Sequence, residues 1–208
     1  MKDFYERERQ LMVENQIRSR GVTDQKVLAA MLTVPRHVFV PQFEKSSSYS
    51  DGPLPIGHGQ TISQPYIVAY MTELLELAGD EKVLELGTGC GYQTAVLAEI
   101  AREVYTIEVI EALGKGAQKL LTETFNYTNI FFKFANGRDG WPEYAPFDRI
   151  LLTAAPTRFP QNIFDQLAEE GIAVAPVGDY FQRLIKFWKK EGKIKSDALI
   201  GVSFVPFV

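Results

Sequence analysis

The chain has 208 residues, which suits one domain, and its 46% hydrophobic and 23% charged residues are ordinary for a globular protein and exclude wholesale disorder. The formal net charge of −4 disfavours a surface that grips a phosphate backbone, so we expect no nucleic-acid partner. One cysteine and two histidines exclude an internal disulfide and are too few for a typical zinc site, so we expect no metal.

Nothing in the sequence resembles a targeting or membrane segment. The first nine residues are too charged for the apolar part of a signal peptide. No apolar run approaches the ~18–20 residues that span a bilayer. We therefore expect a cytoplasmic monomer without membrane contact.

Apolar residues spaced by three and four predict two helices in the N-terminal part of the chain. The first covers about residues 3–20 and ends at Gly21. The second follows Thr23, a good N-cap, and ends before Pro35.

A compositional shift follows at residues 46–63, which are rich in serine, glycine and proline. This composition predicts a loop rather than a helix or strand, and a loop of this length is usually functional. Pro65 then fits the first turn of a third helix, which we expect to end before Gly79.

Strands and helices alternate regularly from residue 82 onward. The predicted strands are 82–86, 103–107, 129–134, 147–153 and 172–175, and the predicted helices are 91–101, 110–122 and 160–169. This alternation predicts a doubly wound, mostly parallel α/β sheet with helices on both faces. Two further strands, 183–188 and 198–205, predict a hairpin, so the sheet should end with antiparallel strands.

The sharpest local signal is a glycine-rich loop that follows the first of these strands and opens a helix. Gly87, Gly89 and Gly91 let the chain turn sharply around Thr88 and let backbone N–H groups approach a ligand. The spacing G-x-G-x-G departs from the dinucleotide fingerprint G-x-G-x-x-G, because Tyr92 stands where the last glycine should be. The loop therefore favours a ligand without a pyrophosphate.

Three acidic residues stand in register with this loop. Glu108 ends the next strand and can accept hydrogen bonds from both hydroxyls of a ribose. Glu85 can face an ammonium group, directly or through water, and Asp139 can accept from an adenine amino group. These groups fit a nucleoside with a zwitterionic tail, so we expect S-adenosylmethionine as cofactor. Taken alone, Glu108 would be read as a solvated acid and Asp139 as a turn residue.

Two stretches carry a closer resemblance. Residues 54–65 (LPIGHGQTISQP) and 83–95 (VLELGTGCGYQTA) resemble the protein-L-isoaspartate O-methyltransferase family. Shorter similar motifs extend the resemblance over nearly the whole chain, at residues 34–41, 145–148, 153–156, 176–178 and 204–206. The stretch 59–63 is highly specific to that family, whereas many methyltransferases share the glycine loop.

The resemblance implies an enzyme that methylates the free α-carboxyl of L-isoaspartyl residues in damaged proteins and peptides and releases S-adenosylhomocysteine. The ester then collapses to a succinimide, which can reopen to normal aspartate. The resemblance also implies one Rossmann-like methyltransferase domain. In it, residues 1–80 form a helical cap and substrate loop, and residues 81–208 form the cofactor-binding core.

The residue signals and the resemblance together predict a site. By motif match, Ser63 is the active-site serine. Ile56 and His58 join it on the substrate side. The cofactor-binding residues are Gln60, Thr61, Ile62, Glu85, Gly87, Thr88, Gly89, Gly91, Glu108, Asp139, Gly140 and Gln182. Two alternatives are a helix N-cap role for Ser63 and a loop-packing or solvent-facing role for His58.

The chemistry agrees with the absence of a catalytic triad in the sequence. A free carboxyl titrates near ~3.5, so the acceptor is ionised at neutral pH and is already the nucleophile. Orientation of the two reactants and exclusion of water remain for the protein to supply. Cys90 has no nearby histidine to activate it, so we interpret it as a packing residue.

Two other functions fit parts of the pattern. One is a methyltransferase that acts on another small acid or on nucleic acid. Nucleic-acid amino-methylating enzymes need an Asn/Asp-Pro-Pro-Tyr loop where this chain has Thr153–Pro156. The other is a non-catalytic protein that binds S-adenosylmethionine, and the intact stretch 59–63 speaks against it.

Overall fold

The computed structural model describes residues 5–207, so the predicted start of the first helix at residue 3 lies outside the described residues. The helices are α1 (Glu6–Met12), α2 (Gln25–Thr33), α3 (Pro65–Leu74), α4 (Tyr92–Ala98), α5 (Glu111–Lys119) and α6 (Gln161–Phe164). The strands are β1 (Leu54–Gly57), β2 (Gln60–Ile62), β3 (Lys82–Leu86), β4 (Glu103–Glu108), β5 (Ile130–Phe134), β6 (Phe147–Leu152), β7 (Leu167–Val177), β8 (Gln182–Lys190) and β9 (Lys193–Val202).

Seven strands form one sheet in the order β5-β4-β3-β6-β7-β8-β9. The first five are mutually parallel, and β8 and β9 complete the sheet antiparallel. The predicted mostly parallel sheet with an antiparallel end is therefore confirmed. The strand order reverses between β3 and β6, and in sheets of this kind ligands bind beyond the carboxyl ends of the strands at that point.

The central strands are buried on both faces, as their nearly continuous apolar sequences require. Alternate residues of β3 contribute to two separate cores. Val83 packs with the N-terminal helices and α4, whereas Leu84 and Leu86 pack with α6 and β7 on the other face. Helices thus cover both faces of the sheet.

The N-terminal helices confirm the predicted cap with one correction. Beyond α1 the chain stays helical through a π turn and a 3₁₀ turn as far as Arg20. Asp24, and not Thr23, is the N-cap of α2, because its carboxylate accepts hydrogen bonds from the N–H groups of Lys26 (2.8 Å) and Val27 (3.2 Å).

The interpretation of residues 46–63 as free of strands is wrong. β1 and β2 pair antiparallel and form a two-stranded hairpin. His58 and Gly59 make the turn with φ values of 52° and 70°, and positive φ at both central residues is the geometry that tight hairpin turns favour. The pairing of these two strands gives the second half of the segment a regular structure.

The helix predicted at 160–169 is also wrong in its second half. α6 has a single turn, and residues 167–170 already belong to the eleven-residue strand β7. Gln166 separates the two elements: its Nε2 donates to the Asp139 carbonyl (2.9 Å), and its Oε1 accepts from the Trp141 N–H (2.7 Å). These bonds hold Gln166 in an irregular link between helix and strand.

Across residues 5–207 the helices are too short or too polar to cross a bilayer.

Candidate active site

A cleft of about 240 Å³ opens at the carboxyl ends of β3, β4 and β6, where the strand order reverses. Its walls come from the β1–β2 hairpin, the glycine loop, the ends of β4 and β6, and the C-terminal segment. The lining residues are Gly59, Gln60, Thr61, Ile62, Ser63, Val68, Leu86, Gly87, Thr88, Gly89, Cys90, Tyr92, Gln93, Ile107, Glu108, Val109, Ile110, Gly137, Thr153, Ala154, Val205, Pro206 and Phe207.

The glycine loop closes tightly against the end of β6. Gly87 has a φ of 105°, and a Cβ built on it would lie 2.1 Å from Thr153 Oγ1. The Thr153 hydroxyl is itself fixed by the carbonyls of Leu86 (3.0 Å) and Gly87 (2.6 Å). Only glycine meets both demands, so at Gly87 the backbone itself borders the cleft.

Glu108 lines the cleft, and only 6% of its surface is exposed. Two hydrogen bonds hold its carboxylate in place. Its Oε2 accepts from the Gly89 N–H (2.7 Å), and its Oε1 accepts from the Ile110 N–H (2.9 Å). Each carboxylate oxygen keeps a further lone pair. The geometry therefore suits a carboxylate that accepts from two neighbouring hydroxyls, as the ribose prediction requires.

Glu85 lies beneath the cleft rather than on its wall. Its Oε2 accepts from Thr94 Oγ1 (2.5 Å) and Thr106 Oγ1 (2.7 Å). Because the Thr106 hydroxyl donates to Glu85, Thr88 must be the donor in the 2.6 Å contact between Thr88 and Thr106. The Thr88 oxygen then faces the cleft as an acceptor only, which suits an ammonium group. Two hydroxyls thus separate Glu85 from the cleft.

Burial makes Glu85 a weak acid. Desolvation raises its pKa from 4.5 to about 8, and its Oε1 has no hydrogen-bond partner among residues 5–207. The folded protein therefore holds a proton at Glu85 that the unfolded chain releases near pH 4.5.

This linkage predicts that the free energy of unfolding falls as pH rises from about 5 to 8, because the unfolded state binds fewer protons there. Glu85→Gln keeps an acceptor for both threonines and removes the titration. We expect the fall in the free energy of unfolding over that range to be smaller in this variant by up to ~4 kcal/mol. Urea unfolding at several pH values measures the free energy of unfolding. Glu123→Gln is the control, because Glu123 is exposed. Parallel curves for the wild type and Glu85→Gln would contradict the prediction.

Ser63 stands where the cleft meets a second cavity of about 860 Å³. Ser63, Thr61, Thr153 and Val205 line both spaces. The second cavity is further lined by Pro53, Gln64, Ile67, Tyr180, Phe181, Gln182, Arg183, Gly201, Val202, Ser203 and Phe204.

The Ser63 hydroxyl is half-buried and makes no hydrogen bond within the part of the chain that the structure describes. The N-cap of α3 is Gln64, without a side-chain capping bond, so the alternative of a capping role for Ser63 is wrong. The hydroxyl is thus available to a ligand in either space.

Some of the other predicted residues line the cleft, and others lie outside the cleft and the second cavity. Gln60, Thr61 and Ile62 line the cleft from β2. Ile56 is buried, with its Cδ1 3.6 Å from where a Cβ on Gly89 would lie, so it packs against the glycine loop. His58 is exposed at the tip of the hairpin and lines neither space.

Gly91, Asp139, Gly140 and Gln182 lie outside the cleft lining. Gly91 is the N-cap of α4. Asp139 is exposed, whereas Gly140 is buried against the Gln166 side chain. Gln182 lines the second cavity, and its amide forms two hydrogen bonds with the backbone of Phe204, at 2.6 and 3.0 Å.

The C-terminal segment is a wall of the cleft that the residue pattern did not indicate. Val205, Pro206 and Phe207 line it. They are held by Ala155, whose N–H donates to the Val205 carbonyl (2.8 Å) and whose carbonyl accepts from the Phe207 N–H (2.9 Å). The resemblance at residues 204–206 was the available signal, but it assigned no role to them.

Cys90 lines the cleft as a thiol. Burial raises its pKa to about 11, so it is protonated at neutral pH and is a poor nucleophile. No group of three or more His, Cys, Asp or Glu side chains in residues 5–207 is arranged to hold a metal ion.

The reversed strand order and the glycine loop at the carboxyl ends of the strands define the Rossmann-like class to which S-adenosylmethionine-dependent methyltransferases belong. The family model described as Protein-L-isoaspartate(D-aspartate) O-methyltransferase (PCMT) matches residues 6–208. The chain belongs to this family.

Individual relatives agree with this membership. A protein-L-isoaspartate O-methyltransferase of Picosynechococcus sp. is 53% identical over 95% of this chain and 89% of its own length. A solved protein-L-isoaspartate O-methyltransferase superposes with a TM-score of 0.87 at 27% identity, over 95% of this chain and 65% of that longer chain. A Plasmodium falciparum structure described as such an enzyme, in complex with S-adenosyl-L-homocysteine, gives a TM-score of 0.81 at 27% identity over 95% and 96% of the two chains.

Proposed function

We propose that this protein transfers a methyl group from S-adenosylmethionine to the free α-carboxylate of L-isoaspartyl residues in damaged proteins and peptides. The ester that forms collapses to a succinimide and so begins repair. The observation that carries the proposal is the position of Ser63. Its half-buried hydroxyl, without a partner among residues 5–207, stands at the junction of a nucleoside-sized cleft and a larger open cavity.

The cleft supplies a matching group for each part of the cofactor. Glu108 would accept from the ribose hydroxyls, and Thr88 would accept from the ammonium. Ile110 and Gly137 also line the cleft, and they would border the adenine; Gly137 begins the 3₁₀ turn that contains Asp139. When bound, the cofactor supplies an electrophilic methyl group on a sulfonium.

The second cavity would hold the isoaspartyl segment, with its carboxylate at Ser63. A carboxylate oxygen forms a bond to the methyl carbon, the carbon–sulfur bond breaks, and its electron pair remains on sulfur. No proton moves in this step, so the site needs no general base. Ser63 would donate a hydrogen bond that fixes the carboxylate in line with the methyl group, where orientation is worth several kcal/mol.

We further infer that the enzyme is a cytoplasmic monomer that needs neither nucleic acid nor a membrane. The net charge of −4 supports the part of this inference that concerns nucleic acid, because a phosphate backbone attracts a basic surface. We also infer a single domain, with residues 1–80 as cap and substrate segment and 81–208 as core. One continuous apolar core links the N-terminal helices to β3 and α4, which supports it.

The direct test uses methyl-labelled S-adenosylmethionine with two peptides that differ only in an isoaspartyl or a normal aspartyl residue. We expect label in the isoaspartyl peptide alone, as a base-labile ester. Equal labelling of the two peptides, or methyl transfer only to small acids, would overturn the proposal.

Ser63→Ala is expected to lower kcat by about 10- to 100-fold with a smaller change in KM, because orientation of the bound carboxylate is lost. Ser196→Ala, at an exposed position of β9, is the matched control and should leave both constants unchanged. Thermal unfolding confirms that each variant is folded. A folded Ser63→Ala enzyme with normal kcat would rule out the role given to Ser63.

A further inference from the structure

Two consecutive aromatic side chains are almost wholly exposed in the loop between β7 and β8. Tyr180 is 99% exposed and Phe181 is 94% exposed. Both line the second cavity that also contains Ser63. Neither ring stacks on another ring within residues 5–207, although aromatic contacts are frequent elsewhere in the chain. Adjacent exposed aromatic residues at a cavity are typical of a binding surface.

The shape of this loop is fixed at its start. Gly178 has a φ of 129°, and a Cβ built on it would lie 2.2 Å from the Phe181 carbonyl oxygen. Its N–H donates to the Pro156 carbonyl (3.0 Å). The chain therefore folds back closely over Gly178, which leaves no room for a side chain at that position.

Side-chain bonds anchor both ends of the loop. Thr157 Oγ1 donates to Asp179 Oδ1 (2.6 Å) on the residue before Tyr180. Gln182 is the residue after Phe181, and its side-chain amide forms two hydrogen bonds with the backbone of Phe204. The two rings thus stand on a preorganised support, which lowers the entropic cost of binding against them.

The rest of this cavity wall favours an apolar partner. Ile67, Val202 and Phe204 contribute apolar surface to it. Arg183 is the charged residue among the described lining, and its Nη2 is engaged by the backbone carbonyls of Ala198 (3.3 Å) and Leu199 (2.5 Å). The wall therefore combines this apolar surface with one exposed cation, whose Nη2 is held by the backbone.

We propose that Tyr180 and Phe181 determine substrate preference by packing against an apolar or aromatic side chain next to the isoaspartyl residue. The inference rests on the proposed function, because it takes the acceptor carboxylate to lie at Ser63. In an extended peptide each residue lies about 3.3–3.6 Å along the chain from the one before it. The residues next to the isoaspartyl residue would therefore lie within the same cavity. Contact with the rings removes apolar surface from water on both sides.

The test compares isoaspartyl peptides that carry leucine or phenylalanine, or else serine, at each position next to the isoaspartyl residue. We expect the kcat/KM of the wild type to be about tenfold higher for the leucine or phenylalanine peptide that it methylates best than for the serine peptide with the same position changed. The double variant Tyr180→Ser, Phe181→Ser should lose this preference, so that the ratio of kcat/KM between the apolar peptide and the serine peptide falls from about ten to about one. The conservative Phe181→Leu should keep part of the preference.

Phe43→Ser is the matched control. Phe43 is 75% exposed and lines neither space, so the preference should survive its replacement. Equal kcat/KM for the peptides in the wild type, or a preference that persists in the double variant, would overturn this inference alone. Failure of the wild type to methylate any of the peptides would overturn the proposed function with it.

Discussion

Glu108→Ala is expected to raise the dissociation constant for S-adenosylhomocysteine by about 100- to 1000-fold. The carboxylate would accept from two ribose hydroxyls, and hydrogen bonds to a charged group contribute about 1.5–3 kcal/mol each. The variant also leaves the N–H groups of Gly89 and Ile110 without their acceptor, so the wall of the cleft loosens. Isothermal titration calorimetry measures the constant.

Glu108→Gln sharpens this test. Both carboxylate oxygens accept from backbone N–H groups, so an amide would have to place its NH₂ against one of these donors. We therefore expect the glutamine variant to bind nearly as poorly as the alanine variant. Glu111→Gln is the control, because Glu111 is exposed and pairs with Lys115 outside the cleft. Binding within about threefold of the wild type in both Glu108 variants would contradict the role of Glu108.

Gly87→Ala is expected to lower the free energy of unfolding by about 3–5 kcal/mol. A positive φ costs an L-residue about 1–2 kcal/mol, and the new Cβ would also collide with Thr153 Oγ1. The hydroxyl cannot turn aside without breaking its bonds to the backbone carbonyls beneath it. Urea unfolding measures the loss.

A double-mutant cycle separates the two causes. Adding Thr153→Ala removes the collision, so the double variant should be more stable than the sum of the single changes predicts. Gly116→Ala is the control. Gly116 lies inside α5 with open space around it, and alanine there should raise stability by up to ~1 kcal/mol. Additive losses at Gly87 and Thr153 would show that the collision does not matter.

The parts of the fold with strong local signals were predictable. The apolar runs of β3, β4 and β6, the proline at the start of α3 and the glycine loop all appear where the sequence places them. Their signals are local because a strand covered on both faces must be apolar throughout, and a sharp turn between strand and helix requires small residues.

The errors arose where tertiary contacts decide between local alternatives. Thr23 and Asp24 are both good N-caps, and the choice follows from α3, because Glu73 Oε1 accepts from the N–H groups of both residues. The β1–β2 hairpin turns through His58 in a conformation that few residues other than glycine adopt, so composition alone indicated a loop.

The site shows the same division. The register of Glu108 with the glycine loop follows from strand order and could be predicted. The chain of hydrogen bonds from Glu85 through Thr106 to Thr88 could not be predicted, because it depends on which hydroxyls meet across β3 and β4. The wall formed by the C-terminal segment likewise depends on its bonds to Ala155, which are remote in sequence.

The proposed function requires one cleft that places the cofactor's methyl group beside Ser63. A crystal structure of the complex with S-adenosylhomocysteine would show this placement. We expect the ribose hydroxyls on the Glu108 carboxylate and the sulfur turned toward the opening that Ser63 shares with the second cavity. A nucleoside bound elsewhere, or a sulfur turned away from that opening, would contradict the proposed function.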